Sequence, residues 1–427
     1  MKHVGVLESN TSGSGFDGLR AAKEIGCRVT FFTSGMERYL AVPGVRRYFD
    51  DYVDEIVVCQ TNALAPLRAQ VHRVHASSPF AAFLSLAEYE VVDAALIAEE
   101  LGLPTPSSES VRTARNKIHM RRRCAEHDVP MPAFRSVADA DAAARAAAEV
   151  GLPCVVKPAD ETSSADVRRC ATVAEVVEQF TVIHDQVENV RGQRRYPEVL
   201  IEECLSGFEV SVEILTSGDR AHVLGVTDKS IGGNNRFVEL GHLFPSLLPE
   251  PVRRGCEQVA VQAVQAIGLE LGLLHVEVKH TAGGPKLIEV NPRPAGDRIT
   301  ELIDLSLGGS CLDLVVRQYL GERVDDLVPR SARQGAAIRF LTADPGRVTV
   351  VRGLAAAAAL PGVRSAVATV AEGDLVRTLM RNEDRVGHVL AVGENAYLAA
   401  RTAEAAAHEI SVLTVADRDR DRDGDGS

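Results

Sequence analysis

The segment His275-Val-Glu277-Val-Lys279-His280-Thr-Ala-Gly-Gly-Pro-Lys286-Leu-Ile-Glu289-Val-Asn291-Pro-Arg293 constrains the fold more than any other. It reads as two strands joined by a turn over 282–285. Side chains alternate faces along a strand, so Glu289, Asn291 and Arg293 share one face. Glu277 joins them if the connecting loop has an odd number of residues and leaves them if it is even; the odd loop is expected. The shared face then carries two carboxylates, an amide oxygen and a guanidinium. Hard divalent cations take oxygen ligands, and arginine suits phosphate or carboxylate oxygens. A polar, solvated sheet face is the plainer alternative, and strict period two ending in Pro-Arg-Pro speaks against it.

Two lysines extend the pattern. Lys117 lies in Asn116-Lys117-Ile-His-Met120-Arg121, on an expected helix, and Lys157 ends the apolar run Val155-Val156-Lys157-Pro158. A lysine closing a buried strand must reach an anion or water, because burying it unpaired is costly. Cations for phosphate oxygens and carboxylates for a metal are the parts of a nucleotide phosphate site. Glu202-Glu203-Cys204-Leu205-Ser206-Gly207-Phe208-Glu209 follows another apolar strand. The strand's backbone can pair with a purine edge, and Glu209 can hold ribose hydroxyls. An acidic surface turn explains the same residues equally well.

A chain of 427 residues has length for two to four units, each with its own core. Its net charge of −12 argues against a nucleic-acid partner. No apolar run reaches the ~20 residues of a membrane span, and the start lacks the pattern of a signal peptide. The eight cysteines are scattered without a C-x-x-C pair, which excludes zinc spacing and points to reduced thiols in a cytoplasmic protein.

Residues 1–110 alternate strand signals (4–7, 29–32, 55–58) with helix signals (16–25, 87–101), which implies a parallel sheet. A linker over 103–108 leads to a helix near 115–127, a Pro130-Met-Pro132 break, an Ala-rich helix and the strand at 154–157. Strands then dominate over 199–325, around a helix near 251–271. A last unit spans 333–412, and the apolar-free tail 417–427 is expected to be disordered. Gly13-Ser-Gly15-Phe-Asp-Gly18 matches a dinucleotide-binding pattern after a strand, but the acidic residue required at the next strand's end is missing.

With these residues in place, the chain resembles the ATP-grasp superfamily, and within it the L-amino acid ligases and related carboxylate–amine ligases of natural-product pathways. The likeness rests on the order and spacing of Lys117, Lys157, Glu202–Glu209, Glu277, Glu289, Asn291 and Arg293. It implies an α/β ATP-grasp fold. A Rossmann-like N-terminal domain would span 1–110, and the ATP-grasp domain 111–325, with a lid subdomain at about 130–200. A C-terminal domain at 326–415 would complete it.

The resemblance also assigns roles. Lys117, Lys157, Glu202, Glu203, Leu205 and Glu209 would bind ATP, and the hydroxyls of Ser163 and Ser164, read from the residues themselves, could donate to its phosphates. Glu277, Glu289 and Asn291 would hold two magnesium ions, for which manganese can stand in. Arg293 would stabilise the acyl phosphate and the tetrahedral intermediate. In Arg236-Phe-Val-Glu239-Leu-Gly-His242, Glu239 would meet a substrate amine and His242 would lie near the reacting carboxylate. Gly296 and Asp297 would face substrate, with Asp297 toward a cationic or hydroxylated group. The partners implied are small-molecule carboxylates and amines, with a homodimer usual for the family. The loop after Lys157, Pro158-Ala-Asp-Glu-Thr162-Ser163-Ser164-Ala-Asp166, departs from the family in having no glycine. The rivals are a biotin-carboxylase-like carboxylase, a nucleotide-binding protein without turnover and a dinucleotide-dependent oxidoreductase.

Overall fold

Apolar runs buried on both faces make parallel strands, and the first hundred residues follow that rule. Glu55–Val58, Arg28–Thr33, His3–Leu7 and Ala82–Leu84 lie in that order, all neighbours parallel. The computed structural model describes residues 1–11, 15–42, 44–232, 237–329 and 331–416. Ser12–Ser14 of the glycine-containing loop, Arg236 and the tail 417–427 lie outside the described residues. The helix expected over 87–101 begins later, at Val91, and runs to Glu100. Residues 87–90 form a turn instead, tied by Ala87 N donating to Ser85 Oγ (3.1 Å).

A second sheet orders the antiparallel strands Phe134–Val137, Val199–Glu203, Cys154–Pro158 and Arg168–Cys170. Helices Ala140–Val150 and Val173–His184 cover it, with Ala143, Ala146 and Ala147 packed against Val156, Phe180 and Ile201. Small side chains let the first helix approach the sheet closely. A capping box between Thr172 and Glu175 starts the second helix.

The largest sheet has eight strands: Gly284–Asn291, Leu271–Thr281, Phe208–Ser217, Arg220–Gly232, Val238–Phe244, Gly335–Leu341, Gly387–Gly393 and Val363–Ala368. Three strands of the expected last unit therefore extend this sheet. Three others, Leu375–Val376, Gly346–Arg352 and Ser411–Val415, form a small sheet of their own. Helix Glu250–Ile267 buries Cys256, Val259, Ala263 and Val264 against Val276 and Val278, and ends at left-handed Gly268.

The hairpin at 271–291 corrects one expectation. Its turn, between Thr281 and Gly284, has two residues and not an odd number. A bulge restores the parity: Val278 pairs with Leu287, but Glu277 pairs with Glu289. The extra residue turns Glu289 back to the face of Glu277, so the two carboxylates stand opposite each other as the odd loop would have placed them.

No disulfide joins the eight cysteines, six of which are buried. Among the described residues no helix is long and apolar enough to cross a membrane.

Candidate active site

One face of the eight-stranded sheet gathers charge. Strand register sets His275 beside Glu213, Glu277 beside Ser211 and Lys279 beside Glu209, and pairs Lys229 with His242. The alternate residues Val276, Val278 and Val212 point into the core. Above this face the four-stranded antiparallel sheet of 134–203 and the turn at 87–90 enclose a cleft of about 430 Å³.

Local structure explains the two expected lysines. Asn116 caps the helix Lys117–Ala125, its Oδ1 accepting from Ile118 N (3.0 Å) and His119 N (3.1 Å). Lys117 therefore opens the helix, and its Nζ reaches Glu289 (2.9 Å) and the Glu161 carbonyl (2.6 Å). One turn on, on the same side of the helix, fully buried Arg121 meets Glu202. Lys157 meets the other oxygen of Glu202 at 2.7 Å. Burial alone would raise the Glu202 pKa, but Arg121 and then Lys157 hold it below the ordinary value. Burial pulls Lys157 below its own ordinary value, against the attraction of Glu202.

The opposed carboxylates are also paired. Lys229, 2 % exposed, lies 2.7 Å from Glu277, 2.7 Å from Glu239 and 3.0 Å from Glu209. Burial favours its neutral form, but the three acids outweigh that and push its pKa well up. His275 bridges Glu213 (3.0 Å) and Glu277 (3.3 Å). Burial opposes charge on His275, and Glu213 foremost overrides it, raising the pKa to about 9. Burial would likewise raise Glu277, yet Lys229 and His275 keep it well below the carboxylate range. Asn291 spends its amide N–H on the His275 carbonyl (3.4 Å).

Arg293 is held by Glu88, which also takes Arg115 at 3.1 Å. Burial works against ionised Glu88, but Arg293 and Arg115 bring it to about 2. Glu88 reaches the cleft because 87–90 is a turn.

At the other end of the cleft, Asp297 receives two bonds from Arg385, each 2.7 Å. Arg385 also donates to the carbonyls of Glu239 (3.1 Å) and Asn382 (2.6 Å), and its guanidinium lies 3.6 Å from the Phe340 ring centre. Asn382 Nδ2 donates to Glu239 (3.0 Å) and Asp297 (3.4 Å). Burial would raise Asp297, but the Arg385 bonds hold it well below its ordinary value. Burial raises Glu239, with Lys229 opposing.

The cleft is lined by Lys117, Lys157, Ser163, Ser164, Glu202 and Glu203, and by Leu205, Glu209, Glu239, Glu277 and Glu289. Asn291, Arg293, Gly296 and Asp297 line it too. His242 does not, which corrects its expected place beside the reacting carboxylate. It is fully buried behind the site, 3.6 Å from Asp297 and 3.9 Å from Glu239, with Phe340 against its ring. Strand pairing with Lys229 sets it on the right face, but the two acids stand between it and the cleft. Asp297, expected toward a cationic or hydroxylated substrate group, has Arg385 as its partner.

The glycine-poor loop turns through left-handed Ser163, Ser164 and Asp166, with φ of 55°, 56° and 58°. Such residues cost about 1–3 kcal/mol each and persist only where surroundings fix them. Here Gln179 binds the Asp166 carbonyl (2.7 Å) and Arg195 its carboxylate (3.4 Å).

Sequence reading missed Glu88, Arg121, Lys229, Asn382 and Arg385. Arg121 alone had an available signal, a cation one helical turn from Lys117.

The donor set fits a hard divalent cation: two carboxylates face each other and Asn291 lies two residues beyond Glu289. Glu239, His242 and Asp297 also offer atoms within 4.8 Å of one another. There Arg385 takes both carboxylate oxygens of Asp297 and His242 is buried away from the cleft, so the Glu277–Glu289 pair is the better cation site.

An ATP-grasp N-terminal domain family matches residues 19–105, an ATP-grasp domain family 150–301, and the L-amino acid ligase C-terminal domain 2 family 339–415. An uncharacterized protein, y4rH, of Sinorhizobium fredii is 30% identical over 341 residues, covering 79% of this chain and 69% of that protein. The D-alanine–D-alanine ligase of Acidovorax ebreus is 27% identical, covering 56% of this chain and 72% of the ligase. Human carnosine synthase 1 is 29% identical over 54% of this chain, which spans only 30% of that enzyme. The L-amino acid ligase structure from Bacillus licheniformis superposes with a TM-score of 0.80 at 19% identity, over 97% of this chain and 99% of that one, a likeness of fold.

The chain belongs to the ATP-grasp superfamily. It is an enzyme of the carboxylate–amine ligase kind, forming C–N bonds.

Proposed function

We propose that this ligase activates a carboxylate as an acyl phosphate and joins it to an amine, releasing ADP and phosphate, with amino acids or close analogues as substrates. The observation that carries the reading is the pairing of Glu277 with Glu289 across one register, in a cleft shared with Lys117, Lys157 and Arg293.

A substrate carboxylate oxygen attacks the γ-phosphorus of ATP and ADP leaves. Lys117 and Lys157 draw charge from the phosphate oxygens as it builds up. Each is ion-paired now, with Glu289 and Glu202, so the triphosphate exchanges for or joins those partners. Glu209 and the 203–205 backbone suit the nucleoside. Magnesium, when bound, supplies neutralising charge between phosphates, and Glu277, Glu289 and Asn291 would hold two such ions, or manganese. Arg293, oriented by Glu88, stabilises the oxyanion that forms when the amine attacks the acyl carbon. Phosphate leaves with the carboxylate oxygen, and the amine loses a proton. The lid sheet at 134–203 keeps water from the acyl phosphate. A homodimer in the cytoplasm, acting in natural-product assembly, completes the reading.

The test is phosphate release from ATP with amino-acid pools. Release that requires two amino acids, with an amide detected by mass spectrometry, is the expected result. Release that requires bicarbonate instead would make the enzyme a carboxylase and reject the reading.

A further inference from the structure

We propose that Arg381 holds the free carboxylate of the amine substrate, so that the acceptor is an amino acid and not a plain amine. The inference rests on the amide-forming reading and deepens it.

An acceptor that keeps its carboxylate needs a cation in the cleft with donors to spare. Lys117 and Lys157 serve the triphosphate on the proposed reading, and buried Lys229 is shared among Glu209, Glu239 and Glu277. Arg293 is engaged by Glu88. Lys279 lies beside Glu209, on the nucleotide side. Among the described residues that line the cleft, two arginines are left. Arg191 stands over Tyr89 with Glu90 at 3.7 Å, between the lid and the N-terminal turn. Arg381 lines the cleft with its side chain 56 % exposed, and its nearest acid is Asp384 at 3.8 Å.

Position favours Arg381. It precedes Asn382, which touches both Glu239 and Asp297, so it stands where the amine is expected. Its backbone is fixed although its side chain is open. One Asp384 oxygen accepts from Met380 N and Arg381 N, both at 3.0 Å. Arg385 anchors the far side of the same turn to Asp297. A guanidinium on such a mount can grip a carboxylate through two parallel N–H bonds, which a lysine cannot copy. An ammonium near Glu239 and a carboxylate at Arg381 are the two ends of an amino acid.

The experiment compares two acceptor pools on the full-length enzyme: proteinogenic amino acids, and the same compounds as C-terminal amides. Arg381→Ala is expected to raise the half-saturating concentration of the free acids by about tenfold or more, the strength of a charged hydrogen bond. The amides should shift less than about twofold, and Arg381→Lys should recover part of the loss. Equal shifts for both pools, or no shift, would overturn the proposal. So would the acid-selective shift appearing in Arg191→Ala instead. A wild-type enzyme that couples amides as readily as free acids would sink Arg381's role and leave the ligase reading standing. No amide product from either pool would end both.

Discussion

The two ends of the cleft are both dense in charge but are wired differently. At the end proposed for the nucleotide, Lys117 and Lys157 each make one ion pair with an acid, Glu289 or Glu202. An ammonium is a point charge that can change partners at little geometric cost. At the acceptor end, Arg385 spreads four hydrogen bonds over Asp297, Glu239 and Asn382 and stacks on Phe340. A planar fork so engaged has one geometry. On the proposed reading, one end exchanges a carboxylate for phosphate and the other holds a shape. The difference also follows the chain. The exchangeable end comes from residues 117–289, whereas the fixed end needs residues 382 and 385, folded back from beyond the strand Gly335–Leu341.

Glu289→Gln should break the exchangeable end most severely. The variant keeps the volume but loses the charge opposite Glu277, and amide formation should fall about 10²–10³-fold. Turnover within tenfold of wild type would remove Glu289 from the phosphate site. Glu202→Gln comes next, and acts on stability. It leaves Arg121 and Lys157 buried together without their acid, a loss of about 3–5 kcal/mol. Urea unfolding reads it, and a change under about 1 kcal/mol would show that the pair is not truly desolvated.

Arg385→Gln sharpens the contrast from the other side. The half-saturating amine concentration should rise about tenfold while that of ATP stays within about twofold. If both rise together, the two ends are one coupled site. The smallest effect concerns Glu90, outside both ends. Burial, and then the Glu8 charge, raise its pKa to about 8 from 4.5. The folded state therefore keeps a proton that the unfolded chain loses. Glu90's stabilising contribution is complete below pH 4.5 and is lost as pH rises toward 8. Melting temperature followed over that range should fall less steeply in Glu90→Gln; parallel slopes would exclude Glu90 as the source.

The same contrast explains what the sequence disclosed. Glu277, Glu289, Asn291 and Arg293 were legible because strand alternation places side chains from local sequence alone. Even there, the two-residue turn and the bulge beyond it could not be separated, since only their combined parity reaches the face. Lys229 was hidden because its partners come from three other segments, at 209, 239 and 277. Glu88 was read into a helix that begins three residues later. Asn382 and Arg385 lie in a short turn with no glycine or proline to announce it, and their partner Asp297 is some 85 residues away. His242 was expected beside the reacting carboxylate but lies on the strand Val238–Phe244, fully buried, because depth depends on what the neighbouring acids cover.

Oxygen transfer tests the central claim most directly. Amino acids labelled with ¹⁸O in the carboxyl group are supplied with ATP, and the released phosphate is analysed by mass spectrometry. If Glu277, Glu289 and the lysines serve attack of a carboxylate on the γ-phosphorus, one labelled oxygen appears in each phosphate released per amide formed. Amide formation with unlabelled phosphate would contradict the account.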